Sequence, residues 1–211
     1  MVPPSLRAIQ LIVMVAVPLI ERQGCPLPFM LLRAGNAHAL FRGSRAFGGI
    51  PVYLHAADRQ WIMWPDPCLE LWTGETKAIA PGLTLVRTGG HFDGGTIMHW
   101  AQGRDGRGAL LSGDLLQVVA DRKHLGFMRS YPNFIPLGAS AVPTIAERVM
   151  PFKYDAIYGA FWNAVIPEEA EHAMEVSVAR HIEWLKREAP ELKSLRLDGL
   201  RQTPAARIFL S

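Results

Sequence analysis

The spacing of hydrophobic and polar positions changes rhythm along the chain. Across residues 8–20 only Gln10 interrupts an apolar run, and Ile12-Val13-Met14-Val15-Ala16-Val17 is dense in β-branched side chains. Those 13 residues are too few for a helix that crosses a bilayer, which takes about 20. Pro3, Pro4 and Pro18 flank the run, and no small-x-small cleavage site precedes Glu21 and Arg22. A buried strand is therefore expected there, rather than an export signal. Residues 22–49 are broken by Gly24, Pro26, Pro28, Gly35, Gly43, Gly48 and Gly49 and hold no pattern for long.

From Pro51 the pattern becomes regular. Residues 51–54 read as a strand, and residues 56–63 as a helix closed off by Pro65 and Pro67. Strands follow at 75–80 and 83–87, joined by Pro81-Gly82, and then at 96–101 and 108–112, joined by Gly103-Arg104-Asp105-Gly106. The second half predicts a helix over 140–149, a strand over 154–158 and a long helix from Pro167 to about Glu188. Ala170, Met174, Val178, Ile182 and Leu185 share one face of that helix, and Glu171, Glu175, Arg180, Glu183 and Arg187 face water. A strand meander followed by strand–helix alternation predicts a layered α/β or α+β domain.

Composition narrows the class. The chain has 211 residues, 49% of them apolar and 19% charged, which excludes a disordered or fibrous protein. Its length suits one domain spanning 1–211. Cys25 and Cys68 allow at most one bridge and no zinc ribbon. The net charge of +3 is unevenly spread. Residues 1–50 carry five Arg against Glu21 alone, and residues 51–179 carry ten basic against fourteen acidic side chains. A nucleic-acid binder concentrates its cations on one working face of the domain, so no nucleic-acid partner is expected. No membrane partner is expected either, and a cytoplasmic location is expected.

Two stretches could carry chemistry. Thr88-Gly89-Gly90-His91-Phe92-Asp93-Gly94-Gly95-Thr96 sets a histidine among four glycines between two strands. His91 is either a metal ligand or acid/base, or a turn histidine donating to a backbone carbonyl. In Leu110-Leu111-Ser112-Gly113-Asp114 a hydrophobic strand ends in a carboxylate. Strand C-termini are where ligands gather in open α/β sheets, and Asp is equally suited to capping a following helix.

Taken together, Gly-His-x-x-Gly-Gly, a second strand and hydrophobic-Ser-Gly-Asp resemble the metallo-β-lactamase superfamily. The likeness runs over residues 51–162 and is most specific over 81–116. Tyr53-Leu54-His55-Ala56-Ala57-Asp58-Arg59-x-Trp61 is similar to a stretch shared by bacterial members of that fold. The resemblance implies a four-layer αββα sandwich with a zinc or iron site at one sheet edge. It implies metal-activated water attacking an ester, thioester, lactone, amide or phosphodiester bond of a small-molecule substrate. His91 falls on a metal-binding histidine, and Asp114 on the metal-bridging aspartate, which is also the catalytic candidate. On this reading residues 46–190 are the matched core, 1–45 an atypical segment and 191–211 a C-terminal tail.

The chain also departs from the family. No His-x-His occurs; Asn36-Ala37-His38-Ala39-Leu40-Phe41 keeps one histidine, His38, and sets Asn, Leu and Phe where ligands should stand. The late strand is followed by Gly159-Ala160-Phe161-Trp162 rather than by a histidine, and residues 1–35 lack the family's opening strands. The sandwich is thus expected to be incomplete at its N-terminal end. The reduced set of His38, His91 and Asp114 is expected to hold one zinc ion at most, with ferrous iron as the alternative metal. The other expectation is a binding or scaffold protein of the same fold that holds no metal. Arg129, Tyr131 and Asn133, in the long loop after Asp114, are the candidate pocket lip. His55 and His99 are expected in packing roles, His124 at a pocket mouth, and His172 and His181 on the solvated part of the last helix.

Overall fold

Leu83–Arg87, Thr96–Trp100 and Ala109–Gly113 are apolar on both faces, because each lies inside a sheet covered on both sides. The computed structural model describes residues 30–31, 51–62, 65–113, 115–161 and 163–192. Its strands are β1 (Met30–Leu31), β2 (Val52–His55), β3 (Leu69–Trp72), β4 (Thr76–Ala80), β5 (Leu83–Arg87), β6 (Thr96–Trp100) and β7 (Ala109–Gly113). They continue with β8 (Gln117–Val118), β9 (Leu125–Gly126), β10 (Met128–Ser130), β11 (Ile135–Pro136), β12 (Ala156–Gly159) and β13 (Val165–Ile166). The helices are a 3-10 helix (Ala56–Trp61), α1 (Ala141–Val149) and α2 (Ala170–Leu192). The fold is mixed α+β.

The main sheet has six strands in the order β13-β12-β7-β6-β5-β4. β4 to β7 form an antiparallel meander, while β12 joins β7 in parallel. The pairs Leu83↔Trp100, Leu85↔Met98 and Met98↔Leu111 stack apolar side chains on one face. There they meet Val52, Leu54 and Trp72 of the parallel β1-β2-β3 sheet. Val86, Ile97, Leu110 and Ile157 line the other face, under Val142, Ile145, Ala170 and Met174 of the two helices. The layers are therefore small sheet, large sheet and helix pair.

The meander and α1 fall where the pattern predicts them. Other elements differ. β1 precedes the expected onset of order at Pro51, and β3 and β13 arise without an alternating pattern; all three are short strands recruited by a neighbour. The helix expected over 56–63 is a six-residue 3-10 helix. The long helix starts at Ala170 rather than Pro167. Glu169 has φ of +55°, outside helical space, and its N–H donates to Asp155 Oδ1 while Ala170 N–H donates to the Asp155 carbonyl. The loop after Asp114 is two small hairpins, β8–β9 and β10–β11. His181 is half-buried rather than solvated, with Nε2 donating to the Leu137 carbonyl and its ring against Phe127. Residues 8–20 and the 191–211 tail beyond Leu192 lie outside the described residues. Among the described residues no helix is long and apolar enough to cross a membrane.

Candidate functional site

β5, β7 and β12 run in one direction, so the chain leaves all three at the same sheet edge. The Gly-His loop follows β5 there. It closes with Thr88 and Gly89 N–H both donating to the Gly95 carbonyl. Gly90 has φ of +89°, a conformation that L side chains rarely adopt. The chain that follows β7 touches this loop: Leu115 Cδ2 lies 2.9 Å from where a Cβ on Gly95 would stand.

A second anchor comes from the 3-10 helix. Asp58 is buried, and its Oδ1 accepts the Gly94 N–H at 2.7 Å. The approach is so close that a Cβ on Gly94 would stand 2.7 Å from the Asp58 carboxyl carbon. Taking a carboxylate out of water is costly without such a donor. His55 caps the same helix, Nδ1 accepting from Ala57 N–H and Nε2 donating to the Gly74 carbonyl. Its ring meets Trp72 edge-on at 4.6 Å, and burial pushes its pKa below the ordinary histidine value. This is the packing role expected of His55. His99 likewise is buried, with Nε2 donating to the Lys153 carbonyl.

His91 is held from the far side. Its Nδ1 donates to the Arg129 carbonyl at 2.8 Å, with the Met128 carbonyl at 3.2 Å. Both partners are acceptors, so Nδ1 carries a hydrogen, and in the neutral ring Nε2 keeps the lone pair. That is the tautomer and orientation a metal-ligating imidazole needs, and a carbonyl on its other nitrogen is the usual orienting partner. It is also the bond expected of a turn histidine. The Arg129 guanidinium donates back to the Gly90 carbonyl at 2.9 Å, closing a reciprocal clasp between the β10–β11 hairpin and the loop. Tyr131 and Phe92 meet the His91 ring edge-on at 5.4 and 5.0 Å, and Trp61 meets Phe92 at 6.2 Å.

Of the expected ligands, His91 is among the described residues, and His38 and Asp114 lie outside them. Among the described residues no group of three or more His, Cys, Asp and Glu side chains could hold a metal ion. Beyond Asp114, Leu115 and Leu116 are bends leading into β8. Of the expected pocket lip, Arg129 and Tyr131 do meet His91, whereas the Asn133 amide donates to Ser130 Oγ inside its own hairpin. Ser112 is fully buried, its hydroxyl donating to the Leu116 carbonyl, which leaves it no role as a nucleophile. Asp58 and the Arg129 carbonyl were not singled out from sequence. Asp58 sits in the Tyr53–Trp61 stretch, but its partner is 36 residues away.

No protein-family model matches the chain. It is 44% identical over 138 residues to Uncharacterized protein YmaE of Bacillus subtilis (strain 168), an alignment covering 65% of this chain and 50% of that protein. The chain thus spans about half the length of the curated relative it matches, and the name of that relative states no activity.

Proposed function

We propose that the chain is a metal-dependent hydrolase-like protein of the metallo-β-lactamase fold, with His38, His91 and Asp114 holding one zinc or ferrous ion. The observation that carries this reading is the Nδ1–H bond from His91 to the Arg129 carbonyl, which presents an oriented Nε2 lone pair at a sheet edge. Two imidazoles and a carboxylate are a donor set that suits zinc or ferrous iron. The succession of small sheet, large sheet and helix pair is in keeping with three layers of an αββα sandwich.

When bound, the metal supplies a water acidic enough to be a nucleophile near neutral pH. The chain's residues supply position. Asp58 and Arg129 clamp the Gly-His loop from opposite sides, through Gly94 and Gly90. Asp114 is assigned the role of ligand and proton acceptor for the attacking water. Tyr131 and Phe92 offer aromatic edges to the substrate beside His91. The substrate is a small molecule bearing an ester, thioester, lactone or related bond.

Elemental analysis of purified, zinc- or iron-reconstituted protein tests the reading. About one metal per chain is expected, lost in His91→Ala with an unchanged far-ultraviolet spectrum, because each protein ligand is a large share of a four-coordinate shell. No bound metal after reconstitution would sink it. A second reading is favoured by Phe161, which is 51% exposed and follows β12 where the resemblance sets a last histidine. A phenyl ring donates no lone pair, so a metal-free binding protein is the outcome if no metal is retained.

A further inference from the structure

A concave site, sharing none of the His91 contacts, lies between the β8–β9 hairpin and α2. Its volume is about 500 Å³, within the roughly 300–1,000 Å³ of small-molecule pockets. Helical spacing explains its helix wall: Ser177, His181 and Leu185 succeed one another at intervals of four, flanked by Arg180 and Trp184 on the same side. The facing wall is the β8–β9 turn, with Asp121 and His124, and the floor includes Leu125.

The polar groups divide into spent and unspent. Ser177 Oγ accepts Leu125 N–H and donates to the Ala173 carbonyl, which ties the two walls together. His181 Nε2 donates to the Leu137 carbonyl. Both Asp121 oxygens are engaged inside their own turn, Oδ1 by the N–H groups of Lys123 and His124, Oδ2 by His124 Nδ1 at 2.7 Å. The Asp121 carboxylate is thus hydrogen-bonded within its own turn. Arg180, exposed on the groove, has no anionic partner among the described residues, since Glu183 pairs with Arg187. Trp184 is 55% exposed and carries the Arg187 guanidinium 5.3 Å from its ring centroid. With one ring face taken by Arg187, the exposed indole keeps its other face for stacking, and Arg180 of the same groove, without an anionic partner among the described residues, suits a planar anion.

We propose that this groove binds a small planar aromatic carboxylate, its ring against Trp184 and its carboxylate on Arg180. Isothermal titration calorimetry of the full chain with 2-naphthoate and with the uncharged 2-naphthamide tests it. The carboxylate is expected to bind once per chain and about tenfold more tightly than the amide, since an ionised acceptor strengthens the guanidinium bond. Arg180→Gln is expected to erase that preference, and Trp184→Ala to weaken both ligands by about threefold to tenfold. His91→Ala is expected to change neither. Both groove residues are exposed, and circular dichroism checks that the variants keep their helix. Equal affinity for the two compounds, unchanged binding in Arg180→Gln, or no heat with either would overturn the proposal.

Discussion

The contact between Asp58 and Gly94 sets a double-mutant cycle whose outcome can be worked out in advance. Asp58→Ala removes a buried acceptor 2.7 Å from the Gly94 N–H. Losing a hydrogen bond to a charged group and stranding its donor costs about 1.5–3 kcal/mol. Gly94→Ala instead sets a Cβ 2.7 Å from the Asp58 carboxyl carbon and 2.9 Å from His55 Cβ. Something must shift, at about 1–3 kcal/mol for overpacking. In the double variant the worst of these contacts is gone and the new methyl fills space that Asp58 vacated, while the His55 contact remains. The combined loss should fall short of the sum by about 0.5–3 kcal/mol, the coupling typical of touching residues. Urea unfolding followed by tryptophan fluorescence measures each corner. A loss of 2 kcal/mol moves the midpoint by roughly 1 M for a slope of about 2 kcal/mol per molar. Additive losses would refute the argument, because the clash would then lie elsewhere. Asp58→Asn, which keeps an acceptor oxygen, should cost less than Asp58→Ala; equal losses would mean the charge matters and the Gly94 bond does not.

Three further outcomes follow. His55 has its pKa lowered by burial, so the folded state binds its proton less readily than the unfolded chain; its stabilising contribution is full above about pH 6.5 and declines as pH falls below that, and a His55→Gln chain should show a flatter stability curve between about pH 6.5 and 5. Leu110→Ala, at a fully buried position under the helix pair, should cost about 2–5 kcal/mol in the same urea assay. Phe134 is 83% exposed at the β10–β11 turn, so Phe134→Ser should change stability by no more than about 0.5 kcal/mol.

How much was legible depended on the reach of the interactions. β4 to β7 could be read because each strand carries its own apolar run and is bounded by its own turn residues, Pro81-Gly82 and Gly103 to Gly106. β1, β3 and β13 could not, since none carries an alternating pattern of its own and each is placed by its partner strand. The start of α2 was misread because Pro167 suits a first turn, yet Asp155, distant in sequence, captures the Glu169 N–H. At the candidate site the glycines announced a tight loop around His91. What holds that loop is another matter: the Arg129 carbonyl carries no side-chain signature, and a carboxylate such as Asp58 reads as a surface residue until its buried donor is known. The likeness to the metallo-β-lactamase fold pointed to His38 and Asp114, which lie outside the described residues, so the ligand set stands as proposed.

The parallel pairing of β12 with β7 has a kinetic side. Neighbours in β4 to β7 are joined by connections of two to eight residues, so that meander closes small loops and can zip locally. β12 starts 43 positions after β7 ends, with both small hairpins and α1 in between. Contacts between distant positions are slow to form, because chain entropy is lost before they reward it. The meander is therefore the natural nucleus, and β12, β13 and α2 the last unit to assemble and the first to open. Amide exchange should be slowest in β5 to β7 and faster in β12. Phe161, which follows β12, reaches the sheet edge where β5, β7 and β12 all end only at that last stage.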